Sequence, residues 1–401
     1  MYMINNKNLS GNKMILLNYV RINELVSRTD ICNNTLLSKP TVSRITDELV
    51  KNNLLIEVAD SYVTNANIGR KPILLKINPK AFYCVGIDIE RTSIKGAVLD
   101  INRNIITRKE ESIKYIKDDN EFMKDVKNVI EKLVIQSKIN KQLILGIGIS
   151  VPCTVDYNTG KLIDYSLNSI PKEIHLKKYL EDKLSIPVYI DNNANIRVLG
   201  EYWYGFGRGY KNIIYIMCNH GVGSGIIVEG NILRGKNSVA GEIGHQKIDK
   251  NGRTCTCGKK GCLEAYCGTE AICMNVKDEL SKGMSSEIRD YICEDYRKIT
   301  FELINKCASN KDNLCSNILD KAEQTLGIGI ANLINILNPE IIICSGEFFK
   351  YREDVMERVK EHTKEQLFNL MGDDTRFAYR KDEDILSGVS PAALVFKNTF
   401  D

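Results

Sequence analysis

Between residues 11 and about 50, apolar positions recur every three or four residues, which is the period of short amphipathic helices. Residues 54–77 instead read as a β-hairpin. From Tyr83 onward, compact apolar runs alternate with helical periods. The runs predict strands at Cys84–Ile89, Ile94–Asp100, Leu143–Ile149, Val188–Asp191, Ile213–Cys218, Gly225–Val228 and Ile341–Cys344. Glu121–Ser137 puts Phe122, Val126, Ile130, Leu133 and Val134 on one helical face, and Ala322–Leu337 reads as a mostly buried helix. Strands alternating with helices predict α/β lobes. The joint at Asn78-Pro79-Lys80 is short, so the N-terminal module should be held close to the first of these lobes.

Composition changes this picture in two places. Charge is uneven: residues 1–80 carry eleven Lys and Arg against six Asp and Glu, so the chain's whole excess of +4 is accounted for at its N-terminal end. Of thirteen Cys, three fall within eight residues, at 255, 257 and 262, and the others are scattered singly as buried hydrophobes usually are. No run approaches the roughly 20 apolar residues of a membrane span. Met1–Ser10 lacks the apolar core of a signal peptide. A cytoplasmic protein with no membrane partner is the expectation.

Ser27–Leu55 resembles a helix-turn-helix. Asn23–Asp30 is expected to form the first helix and Asn33-Asn34 the turn. The second helix opens after Ser38, a good N-cap, with Pro40 tolerated in its first turn. Val42, Ile45, Leu49 and Val50 should face inward. Lys39, Thr41, Ser43 and Arg44 then face out near the helix start, where such helices meet base edges and phosphates. The hairpin would be a wing, and its tip carries Arg70 and Lys71 beside Gly69, suited to a phosphate or minor-groove contact. A small packing domain with solvated charges is the plainer reading, but helix pair, wing and local charge agree on operator DNA.

The strongest local signal is Gly241-Glu242-Ile243-Gly244-His245 followed by Cys255-Thr256-Cys257-Gly258-Lys259-Lys260-Gly261-Cys262-Leu263-Glu264. His245, Cys255, Cys257 and Cys262 lie within 18 positions and fit a tetrahedral, structural zinc site. Gly258 and Gly261 allow a tight fold around the metal, and Lys259 and Lys260 would favour thiolates.

Ala240–Glu264 resembles the hallmark segment of the ROK family (repressors, open reading frames and kinases). Gly148-Ile149-Ser150-Val151-Pro152, Gly221-Val222-Gly223-Ser224-Gly225 with Gly230 and Gly235, Leu337-Asn338-Pro339 and the Gly69-Arg70-Lys71-Pro72 tip match the same family. The resemblance implies a winged helix-turn-helix followed by a two-lobed, actin-like α/β ATPase fold with a sugar cleft. It also implies that Glu242, His245 and Glu264 contact the sugar, with Asn192 and Asn193 nearby. One imidazole nitrogen would bind the metal while the other meets a hydroxyl.

The resemblance also shows where kinase chemistry is missing. The family's kinases join their first two strands by Asp-x-Gly-Gly-Thr, whereas this chain reads Asp88-Ile89-Glu90-Arg91-Thr92. Bulk replaces the glycines that let backbone N–H groups reach phosphate, and Glu90 adds a repelling charge. The second loop reads Asn219-His220-Gly221-Val222-Gly223 and has lost a Gly-Thr pair, and Cys153 follows Val151-Pro152 where Gly is usual. The kinases' Asn-Asp-Ala-Asn becomes Asn192-Asn193-Ala194-Asn195. Asn193 cannot take a proton at neutral pH, so no catalytic residue is assigned; Asp191 is the alternative base if the register slips.

The expected organisation is a DNA-binding domain over residues 1–80, a first lobe over 81–195 with 384–401, and a second lobe over 196–383. The expected function is a sugar-responsive transcriptional repressor that is not an enzyme, working as a homodimer or homotetramer on a palindrome. The alternatives are an active ATP-dependent sugar kinase carrying a DNA-binding module, and an interaction protein with neither ligand. Xylose, glucose and N-acetylglucosamine are the candidate effectors, with a lean to xylose.

Overall fold

A computed structural model describes residues 11–59, 73–90, 92–113, 118–163, 173–369, 374–382 and 387–400. By contacts the chain divides into two units, Met1–Asn193 with Ser387–Asp401, and Ala194–Leu386.

The first unit opens with α1 (Asn12–Asn23), β1 (Val26–Ser27), α2 (Arg28–Asn34), α3 (Lys39–Lys51), β2 (Leu55–Ala59) and β3 (Ile73–Ile77). The expected first helix over Asn23–Asp30 is corrected here. Asn23 ends α1, and a new helix starts at Arg28 because Ser27 and Asp30 form a reciprocal cap. The Asp30 N–H donates to Ser27 Oγ at 3.1 Å and the Ser27 N–H donates to Asp30 Oδ2 at 2.8 Å. Asn33 and Asn34 fall in the last turn of α2, so the turn is Thr35–Ser38. β2 and β3 pair antiparallel as the hairpin, and β1 adds to the free edge of β3.

Next come β4 (Tyr83–Ile89), β5 (Ser93–Asp100), β6 (Ile105–Ser112), α4 (Asp119–Ser137), β7 (Ile144–Val151), β8 (Thr154–Asp156), β9 (Lys161–Ile163), α5 (Leu176–Leu184) and β10 (Val188–Asn192). The main sheet has the order β10-β7-β4-β5-β6, an antiparallel meander with two parallel strands added beside β4. Parallel neighbours need crossovers. α4 and α5 supply them and bury Phe122, Val126, Ile130, Leu133, Leu176 and Leu180 against the sheet.

The second unit comprises α6 (Asn193–Tyr204, whose first residue still groups with the first unit), β11 (Ile213–Cys218), β12 (Val222–Val228), β13 (Asn231–Ile232), α7 (Glu264–Cys267), α8 (Thr269–Ser281), α9 (Ile288–Ile292), α10 (Phe301–Ser309), α11 (Asn313–Leu337), β14 (Ile341–Ser345), α12 (Val355–Lys364) and β15 (Arg376–Arg380). Its sheet, β13-β12-β11-β14-β15, repeats the topology of the first: a three-strand meander, then two strands in parallel. Leu326, Ile330 and Ile334 of α11 lie in its core.

The chain returns to the first unit as α13 (Val389–Phe400). α13 packs so closely that a Cβ on Gly148 of β7 would come within 1.8 Å of the Pro391 carbonyl oxygen. At its far end, the Arg21 guanidinium of α1 lies 5.5 Å from the centre of the Phe400 ring. Arg103 Nη2 also donates to Glu24 Oε1 at 3.0 Å. The N-terminal helices are therefore tied to the first unit's body.

Candidate functional site

In the second unit, the chain from Glu242 to Glu264 gathers four metal-binding side chains. The ligand atoms of His245, Cys255, Cys257 and Cys262 all lie within 4.8 Å of one another. A short 3-10 turn, Ile243–His245, presents the imidazole. The Cys loop is folded back on itself: the Cys255 N–H donates to the Lys259 carbonyl at 2.8 Å and the Gly258 N–H to the Cys255 carbonyl at 2.9 Å. Gly261 is required, since its φ is +72° and a Cβ there would sit 1.5 Å from the Asp249 carbonyl oxygen.

The spacing fits a small tetrahedral ion. Cys257 Sγ lies 3.7 Å from Cys262 Sγ, and Cys255 Sγ lies 3.8 Å from His245 Nδ1. A Zn–S bond of about 2.3 Å gives tetrahedral S···S edges of about 3.8 Å. Burial pushes the Cys255 thiol up to about 11, while the Lys259 backbone N–H holds Cys257 below the usual thiol range. The ammonium found on a sulfur is that of Lys247, whose Nζ donates to Cys262 Sγ at 3.1 Å. The sequence points to Lys259 and Lys260 for this role. Lys259 acts through its N–H instead, and Lys247 comes alongside because Lys247 and Cys262 form an isolated antiparallel bridge.

Glu264 is the first residue of α7 and joins the metal cluster to the loop after β11. Its Oε1 accepts from Thr256 Oγ1 at 3.0 Å and its Oε2 from the Val222 N–H at 3.2 Å. Glu242 is reached by solvent, yet its carboxyl is held above the usual carboxylate range. Crowding by protein is the main cause, His245 works against it and the charge of Glu264 adds to it. Cys255 Sγ lies 3.8 Å from His245 Nδ1 and 3.7 Å from Glu264 Oε1, so the imidazole and the Glu264 carboxylate flank the same thiol. Asn192 and Asn193 belong to the first unit, at the junction of β10 and α6. Asn192 Nδ2 donates to the Cys153 carbonyl at 3.1 Å, and the Asn192 N–H donates to the buried Asp191 at 2.8 Å.

The loops that would cradle phosphate are engaged otherwise. At the β4–β5 turn the Glu90 N–H donates to the Ser93 carbonyl at 2.8 Å. The Glu90 carboxylate pairs with Lys95 at 3.1 Å. Arg91 lies outside the described residues. After β11, Glu264 takes the Val222 N–H, and Asn219 Oδ1 takes the Glu347 N–H at 2.7 Å. Glu347, which sequence reasoning passed over, brings a further carboxylate to this loop and accepts from Thr269 Oγ1 at 3.1 Å.

The N-terminal candidates divide. Lys39 and Arg44 are exposed. Thr41 and Ser43 are half-buried: the Thr41 hydroxyl pairs with that of Ser38 at 2.9 Å, and Ser43 Oγ accepts from Arg28 Nη1 at 3.3 Å. Ser38 stands at the N-cap but makes no side-chain cap bond; its hydroxyl lies 2.9 Å from that of Thr41. Thr46 rather than Val50 completes the inward face with Val42, Ile45 and Leu49, following the helix period. Arg28 was missed from the sequence. Its Nη2 reaches Asp47 at 2.8 Å and Glu57 at 3.0 Å, clamping α3 to β2. Arg70 and Lys71 lie outside the described residues. No described helix is long and apolar enough to cross a membrane.

The ROK family profile matches residues 84–398. The chain belongs to the ROK family. The xylose repressor of Caldicellulosiruptor bescii is 31% identical over 357 residues, covering 89% of this chain and 88% of that protein. A glucokinase of Halalkalibacterium halodurans is 33% identical over 301 residues, covering 74% of this chain and 89% of the kinase. A crystal structure of a ROK family transcriptional regulator, described as a homolog of the E. coli MLC protein, matches with a TM-score of 0.81 at 21% identity over 96% of both chains. The mixed α/β fold, with its two like-ordered sheets, is thus that of the ROK family.

Proposed function

We propose that this ROK protein is a sugar-responsive, DNA-binding transcriptional repressor of carbohydrate-metabolism genes and has no kinase activity. The observation that carries the reading is the start of α3, where Lys39 and Arg44 stand exposed on a helix clamped to its sheet by Arg28. The proposed organisation is a winged helix-turn-helix over residues 1–80, a first lobe over 81–195 with 384–401, and a second lobe over 196–383. The likeness to a repressor along 89% of the chain supports this, with the kinase likeness reaching 74%. Operator contacts would come from Lys39, Thr41, Ser43 and Arg44, with Arg70 and Lys71 from the wing, and two copies or four would meet a palindrome.

The Cys3His group would hold a structural zinc, since four protein ligands leave no open position. His245 would then be fixed through Nδ1, leaving Nε2 for a sugar hydroxyl, with Glu242 and Glu264 accepting others. Asn192 and Asn193 are the first unit's sugar candidates. The engaged turn at Glu90 and the amide at Asn193 speak against phosphoryl transfer. Repression of xylose genes is the narrower version of the reading, supported by the name of the Caldicellulosiruptor relative. The glucokinase likeness favours a second reading, an active kinase with a DNA-binding module. Duplexes selected from a random pool, used in gel shifts with and without xylose, glucose and N-acetylglucosamine, test the first. ADP release on adding sugar and ATP would mark the second.

A further inference from the structure

We infer that the leading edge of α3 reads thymine through its 5-methyl group, with Leu36 as the contacting side chain. The inference rests on the DNA-binding reading above and names the chemistry which that surface recognises.

Leu36 lies in the link between α2 and α3. It is the most exposed large apolar side chain among the described residues, at 107% of its reference area against 77% for the next, Ile135. Its backbone is nevertheless pinned on both sides. The Thr35 N–H and hydroxyl both donate to the Ile31 carbonyl, at 3.0 and 2.6 Å. Leu37 is buried, and its N–H reaches Thr35 Oγ1 at 3.4 Å. A leucine held outward between two anchored neighbours adds nothing to the core, and its backbone is already fixed for a partner.

The surroundings identify that partner. Pro40, the second residue of α3, is exposed and has no N–H to offer a phosphate. The Ser38 and Thr41 hydroxyls bond to each other at 2.9 Å, which leaves one O–H of the pair for a partner. The edge therefore presents carbon at its centre, while exposed Lys39 and Arg44 supply positive charge around it. An apolar centre with a cationic rim complements a base edge flanked by phosphates. In the major groove only thymine carries a methyl group on its base edge.

The test uses the full chain and duplexes that the wild-type protein selects from a random-sequence pool, resynthesised with deoxyuridine for single thymidines. The expected result is that wild type loses about fourfold in affinity for each critical methyl removed, the worth of one buried CH2 group. Leu36→Ala should bind the thymidine duplex several-fold more weakly and be indifferent to the same swap. Its melting temperature should equal that of wild type. Wild type indifferent to every swap, or Leu36→Ala with undiminished sensitivity, would overturn the inference while the DNA-binding reading stood. Wild type that enriches no sequence would remove both.

Discussion

The Lys95 ammonium lies 3.1 Å from Oε1 of Glu90, and the Ser93 hydroxyl donates to the other carboxylate oxygen at 3.1 Å. The carboxylate is thus anchored at the turn where a kinase would hold the phosphates of its nucleotide. Displacing it would break an ion pair and a hydrogen bond together. A polyanion would also find the Glu90 N–H already bonded to the Ser93 carbonyl at 2.8 Å.

No sugar phosphorylation with ATP should therefore be measurable. Asn193→Asp alone should not restore it, because a base at that position leaves the turn unchanged. A coupled ADP assay on wild type and variant checks this. Turnover in the usual enzymatic range, about 1 to 10^3 per second, would refute the reading.

The Cys loop should carry about one metal ion per chain. Its four donor atoms lie within 4.8 Å of one another and are spaced for a tetrahedron. Cys257→Ala should lower the melting temperature by about 10 °C, the scale of a ~3 kcal/mol loss in a domain of this size. Chelation of the wild type should have a similar effect. Elemental analysis of folded protein that finds no metal would decide against it.

How much was readable in the chain depends on how each residue is held. β4, β7, β11 and β14 are buried central strands, and their unbroken apolar runs give them away. β6 lies at a sheet edge and runs through four consecutive charges, Arg108 to Glu111, so no apolar alternation marks it as a strand. α11 starts at Asn313 rather than Ala322: its first turns bury Leu314, Cys315 and Leu319, with polar residues between them that hide the helical period. The metal-binding set is legible because four such residues sit close in sequence. Lys247, Thr256, Arg28 and Glu347 are ordinary polar residues whose roles come only from chain folding.

The cap on α2 predicts a pH effect. Hydrogen bonds from Ser27, the backbone N–H first and the hydroxyl second, hold Asp30 below the usual carboxylate range. A depressed carboxylate contributes stability that is complete above its unfolded value of about 3.9 and is lost as pH falls through the folded value. Ser27→Ala should cost about 1 kcal/mol near pH 6. Below the folded value of Asp30 the gap should narrow, because the bond from the Ser27 hydroxyl to the carboxylate is lost from wild type too, but it should not close, because the bond from the Asp30 N–H to Ser27 Oγ does not depend on pH. Amide exchange in α2 above and below that value reports it, and an unchanged gap at low pH would contradict the assignment.

Three sugar candidates, Glu242, His245 and Glu264, fall in the second unit, whereas the operator candidates Lys39 and Arg44 fall in the first, as do Asn192 and Asn193. A signal between them must then be a shift between two arrangements of the protein, set by the sugar's differential affinity for each. Such coupling is typically about 1–3 kcal/mol per site, or five- to 150-fold in operator affinity. Separate lesions should therefore break separate halves of the response. Glu242→Ala should bind the selected duplex like wild type but no longer respond to the effective sugar, since it removes one carboxylate far along the chain from α3. Arg44→Ala should bind sugar normally, seen as an undiminished rise in melting temperature, while losing affinity for the duplex. Gel-shift titrations of both variants, with and without the sugar that shifts wild type, separate the two. A Glu242→Ala protein that answered sugar as wild type does would take Glu242 out of the effector site, whatever the outcome for Arg44.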